Sequence, residues 1–254
     1  MINHSLRALR ARWGARNIEA PDPERSIPYS SAPFISGDTF RGFAGAEIAG
    51  NNEVRTYNGL DTRMVFASSE TSVQRDFVRI AEKIAKHLDA RTLIIHNGDR
   101  LPSQADLKSL GGIFERVFCV NLVSEEVNVF SLPIGLENAN LRNNGRLSYY
   151  FEGLQAPRES SRRRLVLSSF HTSTNPVERE PVEALFGSSR FGFDGHQWKR
   201  REYRRVLADS CFVISPPGNG VDCHRTWEAI YMGAVPVVLR NRLAPSLAED
   251  MPIL

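Results

Sequence analysis

Apolar and polar positions alternate in two blocks along the chain. In the first block Met64–Ala67 is a short apolar run that predicts a strand. Over 71–88, Val73, Phe77, Ile80, Ile84 and Leu88 make nearly one helical stripe. Thr92–His96 reads as a strand that ends in the turn Asn97-Gly98-Asp99. A helix over 103–115, a strand at Arg116–Val120 and an apolar run at Val127–Leu132 follow, the last leading into Pro133-Ile134-Gly135. A polar, charged stretch at roughly 140–164 ends in Arg162-Arg163-Arg164 and reads as a connection between lobes. The alternation then restarts. Leu165–Ser168, Cys211–Ser215 and Val235–Leu239 predict strands, and 177–186, 198–209 and 222–232 predict helices. Strand alternating with helix implies an α/β fold with mostly parallel sheets. The expected division is an N-terminal segment at 1–60, an α/β lobe at 61–150 and a second α/β lobe at 160–254.

The segment before the first block has its own pattern. Leu6, Leu9 and Trp13 fall at helical spacing, with Arg7, Arg10, Arg12 and Arg16 between them and no acid before Glu19. Such a helix lies on an anionic membrane surface or docks on the rest of the protein. Pro21, Pro23, Pro28 and Pro33 then impose an extended connection.

Composition narrows the class. With 254 residues, 41% hydrophobic and 24% charged, the chain is that of a globular protein, as one large domain or two small ones. No apolar run approaches the roughly 18 residues of a membrane span, and the N-terminus lacks the apolar core of a secretory signal. Lys plus Arg number 32 against 29 acids, a net charge of +3, too small to point to nucleic acid. Nearly all the basic residues are Arg. That bias follows from genomic base composition or from phosphate binding, which the guanidinium fork suits. Cys119, Cys211 and Cys223 are odd in number and lack metal-ligand spacing, so neither a disulfide framework nor a metal site is expected. A reducing, cytoplasmic compartment fits that usage.

The most informative stretch is 211–241, whose grammar is strand, glycine turn, helix, glycine stop, strand. Pro216 and Pro217 end the strand. Gly218 and Gly220, flanking Asn219, allow close approach of a ligand and positive φ. The N–H groups that open the following helix favour an anion there. Trp227, Ile230 and Tyr231 share the apolar face. Arg225 and Glu228, three apart, share another side. One can grip phosphate while the other accepts hydrogen bonds from sugar hydroxyls. The Walker pattern is absent. The dinucleotide fingerprint is incomplete, because Cys223 stands where its third glycine would pack. Arg240, near the end of the next strand, would suit a 2′-phosphate cofactor, so an NADP-binding protein is one alternative.

Pro216-Pro217-Gly218-Asn219-Gly220, Asp222-Cys223-His224-Arg225-Thr226-Trp227-Glu228-Ala229 and Gly233-Ala234-Val235-Pro236-Val237-Val238 together resemble the donor-site segment of exostosin-like glycosyltransferases. The bacterial members used in surface-polysaccharide synthesis are the nearest in pattern. His96-Asn97-Gly98-Asp99, Leu132 through Glu137 and Phe170 through Arg179 extend the resemblance. It implies a GT-B arrangement, in which two Rossmann-like lobes face a cleft and the C-terminal lobe holds a nucleotide sugar. No metal or other cofactor is implied. The chain stops at Met251-Pro252-Ile253-Leu254, which reads as the start of another strand where such enzymes continue, so a C-terminal lobe cut short is expected. The paired glutamates of many retaining enzymes are missing, Gly220 standing where the first would be, which favours inversion.

The expected donor-binding residues are Gly218, Asn219, Gly220, His224, Arg225, Glu228 and Arg179. Arg225 is the principal contact to the diphosphate and Glu228 contacts the ribose. His224 either joins them or pairs with Glu228 along the helix. Arg179 reaches the pyrophosphate or is a surface charge. Lys199, Arg200, Arg201, Arg204 and Arg205 read as a solvated helix face. An inverting transfer also needs a general base. Asp38 and Asp99 are the catalytic candidates, each alternatively a cap or turn residue, and His96 is a third. The expected partners are a UDP- or GDP-sugar donor and a glycan or lipid-linked glycan acceptor. Peripheral contact of the basic N-terminal stretch with the inner membrane face is the alternative to its docking on the protein, which is the reading preferred for that stretch. A non-catalytic module in a polysaccharide assembly is the other alternative.

Overall fold

The computed structural model describes residues 31–49, 53–57, 59–139, 141, 147–155, 162–194, 198–239, 245–249 and 251–254. The expected basic helix within 1–20 lies outside the described residues, as do Pro21, Pro23, Pro28 and Arg240.

The first sheet has six strands: β1 (Ala46–Ile48), β2 (Val54–Thr56), β3 (Met64–Ser68), β4 (Thr92–His96), β5 (Arg116–Val120) and β6 (Val129–Leu132). Their order is β2-β1-β3-β4-β5-β6. All neighbours are parallel except β1 and β2, which run antiparallel. The sheet therefore begins at Ala46, inside the stretch assigned above to a separate N-terminal segment. The middle of β3 and most of β4 are buried. Burial on both faces is why these strands are continuous Val, Phe, Leu and Ile runs rather than alternating ones.

Short helix α1 (Gly37–Arg41) precedes the sheet, with the Ser36 hydroxyl accepting from Thr39 N–H. The helix expected over 71–88 is two helices, α2 (Ser69–Ser72) and α3 (Phe77–Leu88). Ser68 caps the first, and turn bonds from Gln74 N–H to Thr71 O and Phe77 N–H to Gln74 O bridge the gap. The apolar stripe had run through that turn. On α3, Phe77, Ile80, Ala81, Ile84 and Ala85 are buried, a spacing of three and four that lays one face on the sheet. Helix α4 (Gln104–Ile113), capped by Ser103, packs beside α3.

The polar connection at 140–164 is not wholly irregular. It contains helix α5 (Ser148–Gln155), and Tyr150 on it is fully buried. Leu147, Tyr150 and Phe151 give it an apolar face at helical spacing, outweighing the charged surroundings.

The second sheet is parallel, with order β7-β8-β9: β7 (Arg164–Leu167), β8 (Ser210–Ile214) and β9 (Val235–Val237). Leu254 N–H donates to Pro236 O at 3.0 Å, and Leu254 O accepts from Val238 N–H at 2.8 Å. The last residue thus lies along β9 in the parallel pattern. Helices α6 (Pro176–Gly187), α7 (Arg200–Ala208) and α8 (His224–Tyr231) belong to this half, and α9 (Pro245–Ala248) is a short terminal turn of helix.

One apolar cluster joins the two halves, while the first sheet also has its own core around Val65, Leu93, Ile95 and Val117. Phe34, Val120, Ile134 and Leu136 from the first half pack with Tyr150, Leu167, Leu207, Val213, Trp227 and Ile230. Among the described residues, no helix is long and apolar enough to cross a membrane.

Candidate functional site

The carboxyl ends of the parallel strands converge on a cleft of about 880 Å³. This is where open α/β sheets place their ligands. One wall follows β4 and β6 and carries His96, Asn97, Asp99 and Glu137; the other follows β7 and β8 and carries Phe170, Arg179, the 218–220 turn, His224, Arg225 and Glu228.

The turn after β8 is built by crowding rather than by unusual dihedrals. The positive φ expected at Gly218 and Gly220 does not occur; among the described residues, the glycines with positive φ are Gly59, Gly135, Gly192 and Gly233. Instead, a Cβ on Gly220 would stand 2.5 Å from Asn121 Oδ1, and one on Gly218 would stand 3.0 Å from an Arg179 guanidinium nitrogen. Asn121, just past β5, also accepts from Asp222 N–H at 3.1 Å. Gly218 N–H donates to Gly220 O at 3.0 Å, and Gly218 O accepts from Asn175 Nδ2 at 2.9 Å. So the turn is clamped from both sides. Helix α8 then begins with Cys223 at its N-cap and no side-chain capping bond. Its first N–H groups have no i−4 carbonyl to bond, and Thr226 N–H turns back to Cys223 O at 3.0 Å.

Arg179 is neither on a loop nor a surface charge. It sits in the first turns of α6, behind the Asn175 cap, and is buried. Its Nε donates to Pro217 O at 2.8 Å and a terminal nitrogen donates to His171 O at 2.7 Å. Arg179 therefore braces the turn while facing the cleft. Arg225 lies beside Tyr203 and over the Phe170 ring, and its Nε, buried, finds no hydrogen-bond partner among the described residues. Burial, then the positive charge of Arg225, holds the Arg179 guanidinium below its ordinary value.

Glu228 is more committed than its expected ribose contact suggests. Its Oε1 accepts from Tyr150 Oη at 2.9 Å and from Arg204 at 3.1 Å. Arg204, read as part of a solvated helix face, is buried in that ion pair. His224 does not pair with Glu228. Its Nδ1 meets Gly135 O at 2.8 Å, and its Nε2 stands 3.7 Å from Glu137 Oε1 on the opposite wall.

The proposed bases separate. Asp99 is exposed at the rim of the cleft. Asp38 is buried in the first turn of α1, where its Oδ1 accepts from Asn97 Nδ2 at 3.2 Å and its own N–H donates to Asn138 Oδ1 at 2.9 Å. Burial raises its carboxyl above the ordinary range, against the Asn97 hydrogen bond. His96 has both ring nitrogens occupied: Nδ1 accepts from Asn97 N–H at 2.7 Å, so Nε2 donates to Pro133 O at 3.0 Å. Burial lowers it to about 4.

The sequence reading missed Asp222. Its buried carboxylate accepts from Trp227 Nε1 at 2.9 Å and from Ile134 N–H at 2.8 Å, tying the two walls together. Burial pushes it up to about 6. Both partners lie outside any periodic spacing, so no local pattern marks them. Among the described residues, no group of three His, Cys, Asp or Glu side chains is placed to hold a metal ion. No known family model matches the chain, and no curated protein matches it.

Proposed function

We propose that the cleft binds a nucleotide-activated sugar and that the chain is an inverting glycosyltransferase of the exostosin-like kind. In this reading the two sheets are the lobes of a GT-B-like arrangement, and the second sheet with α8 is the donor side. One observation carries it: two guanidiniums, the buried Arg179 and the half-buried Arg225, stand against the same Phe170 ring with their charges interacting, at the start of a helix that no side chain caps. Like charges so placed repel, and a diphosphate between them would turn that repulsion into charge-assisted hydrogen bonds. The same groups would stabilise the charge that grows on the departing nucleoside diphosphate. The acceptor is a glycan or lipid-linked glycan. The site of action is the cytoplasm, with the Arg-rich stretch before Glu19 against the inner membrane face.

A thermal-shift panel of UDP, GDP and NADP tests the reading. UDP or GDP raises the melting temperature and NADP does not. Protection by NADP alone would favour the dinucleotide alternative. Nucleotide binding with no diphosphate release from any UDP- or GDP-sugar would favour a non-catalytic module.

A further inference from the structure

We infer that His224 is the general base that deprotonates the acceptor hydroxyl, with Glu137 as its positioning residue across the cleft. The inference rests on the glycosyl-transfer reading and adds a residue role to it.

Hydrogen-bond accounting carries the assignment. A backbone carbonyl can only accept, so the 2.8 Å contact to Gly135 O puts the proton of the neutral ring on Nδ1 of His224. Nε2 is then left with its lone pair. It lines the cleft 3.7 Å from Glu137 Oε1, and that carboxylate, an acceptor itself, cannot hydrogen-bond to the lone pair. The carbonyl that sets this tautomer is itself fixed. Gly135 has φ +69°, and a Cβ there would stand 2.2 Å from Ile35 O, so only glycine fits the turn that aims it. Leu136 N–H donates to that same Ile35 O at 2.7 Å and holds the segment in place.

The other candidates fail on the same accounting. His96 spends its Nδ1 lone pair on Asn97 N–H and its proton on Pro133 O. Asp38 is turned into the Asn97 and Asn138 network. Asp99 sits at the exposed rim, with no side-chain hydrogen bond to orient it among the described residues. His224 is 35% exposed at its side chain, open enough to meet a substrate and still clamped at one nitrogen.

Neighbouring residues on a helix point about 100° apart. His224 faces the Gly135–Glu137 wall, whereas Arg225 faces Phe170 and Tyr203. A donor lying between would have its diphosphate towards Arg225 and its reacting carbon towards His224. The acceptor O–H gives its proton to Nε2, and the acceptor oxygen bonds to the anomeric carbon. The bond from that carbon to the phosphate oxygen breaks, and its electron pair leaves with the nucleoside diphosphate. The imidazolium, stabilised by Glu137, then returns its proton to water. Asp222 and His96 also lie within electrostatic reach of His224, and Arg225 adjoins it.

The test uses the full chain with UDP-glucose, UDP-N-acetylglucosamine and GDP-mannose, and water as acceptor. His224→Asn keeps a donor for Gly135 O and removes the base. It should slow diphosphate release by about a hundredfold or more, while calorimetry with UDP and GDP shows affinity as in the unsubstituted chain. The unsubstituted chain should lose rate on acidification, and Glu137→Gln should move that limb to lower pH. A His224→Asn variant slowed by less than about tenfold overturns the role of His224 alone, whereas an unsubstituted chain that binds UDP or GDP yet releases no diphosphate overturns the transferase reading along with it. Absence of any UDP or GDP binding to the unsubstituted chain overturns the glycosyl-transfer reading itself.

Discussion

Arg179 and Arg225 flank one aromatic ring: their guanidinium carbons stand 5.7 and 5.8 Å from the centroid of Phe170. The ring face offers each cation some attraction, but it cannot neutralise them. Arg179 gives hydrogen bonds to Pro217 O and His171 O, which accept without carrying charge. Like charges in mutual reach, Arg179 buried and Arg225 half-buried, are costly unless something balances them. The shape of the imbalance, two forks beside a glycine turn and a helix start, suits a bridging dianion better than a single carboxylate.

Arg225 should therefore matter more for nucleotide affinity than for folding, and Arg179 for both. Arg225→Ala is expected to weaken UDP or GDP binding by roughly 1.5–3 kcal/mol, the range for hydrogen bonds to charged groups. Arg225→Lys should restore only part, because the planar fork is lost. Arg179→Ala should also lower the unfolding midpoint, since two carbonyls of the brace lose their donors. Calorimetry and urea unfolding on the same preparations separate the two effects. Unchanged nucleotide affinity in Arg225→Ala would remove the diphosphate site from this cleft.

Much of this was open to inspection in the residues themselves. Thr92–His96 and Arg116–Val120 are strands with the limits their apolar runs suggest, because strands buried on both faces carry an unbroken signal. The strand, glycine turn and helix around Gly218–Gly220 are equally local. What escaped depends on contacts between distant positions. Glu228 and Arg204 are 24 residues apart, and Glu228 and Tyr150 are 78 apart. Nothing near Glu228 marks it as half of a buried ion pair. Helix α5 escaped for a different reason: it is a short element whose few apolar residues sit in a charged stretch. The glycines were assigned to the right turn, but of the two causes given positive φ does not apply; Asn121 and Arg179 crowd them instead.

The Arg204–Glu228 pair supports a stability prediction that also tests the ribose contact. Their side chains are 4% and 10% exposed. Removing one partner of a buried pair leaves an uncompensated charge, which typically costs about 3–5 kcal/mol. Glu228→Gln should therefore destabilise strongly in urea titration, through Arg204. Replacing both Arg204 and Glu228 by Met should recover most of the loss, because apolar substitutes of similar size are often neutral. A Glu228→Gln variant of unchanged stability that fails to bind nucleotide would instead put the carboxylate on the ligand.

Asp222 and His96 bond to successive residues of one segment and should give opposite pH dependences. Asp222 accepts from Ile134 N–H and His96 donates to Pro133 O. Burial raises the Asp222 carboxyl from 3.8 to about 6, so between those values the folded chain holds more protons than the unfolded one. Its contribution to stability therefore falls as pH rises through that window. Burial lowers the His96 imidazole from 6.5 to about 4, so there the unfolded chain holds more protons. Its contribution rises with pH across nearly the same range. The two slopes largely cancel in the natural chain and separate when either group is replaced. Relative to the natural chain, Asp222→Asn should be weakest near pH 4 and gain as pH approaches 6. His96→Gln should compare best near pH 4 and lose ground towards 6.5. One proton held or released across one pH unit is worth about 1.4 kcal/mol, so each difference curve should span on the order of 2–3 kcal/mol. Urea unfolding at a series of pH values across this window measures both. Two difference curves of the same sign would mean that at least one of these groups is not held as the buried hydrogen bonds at Pro133 and Ile134 require.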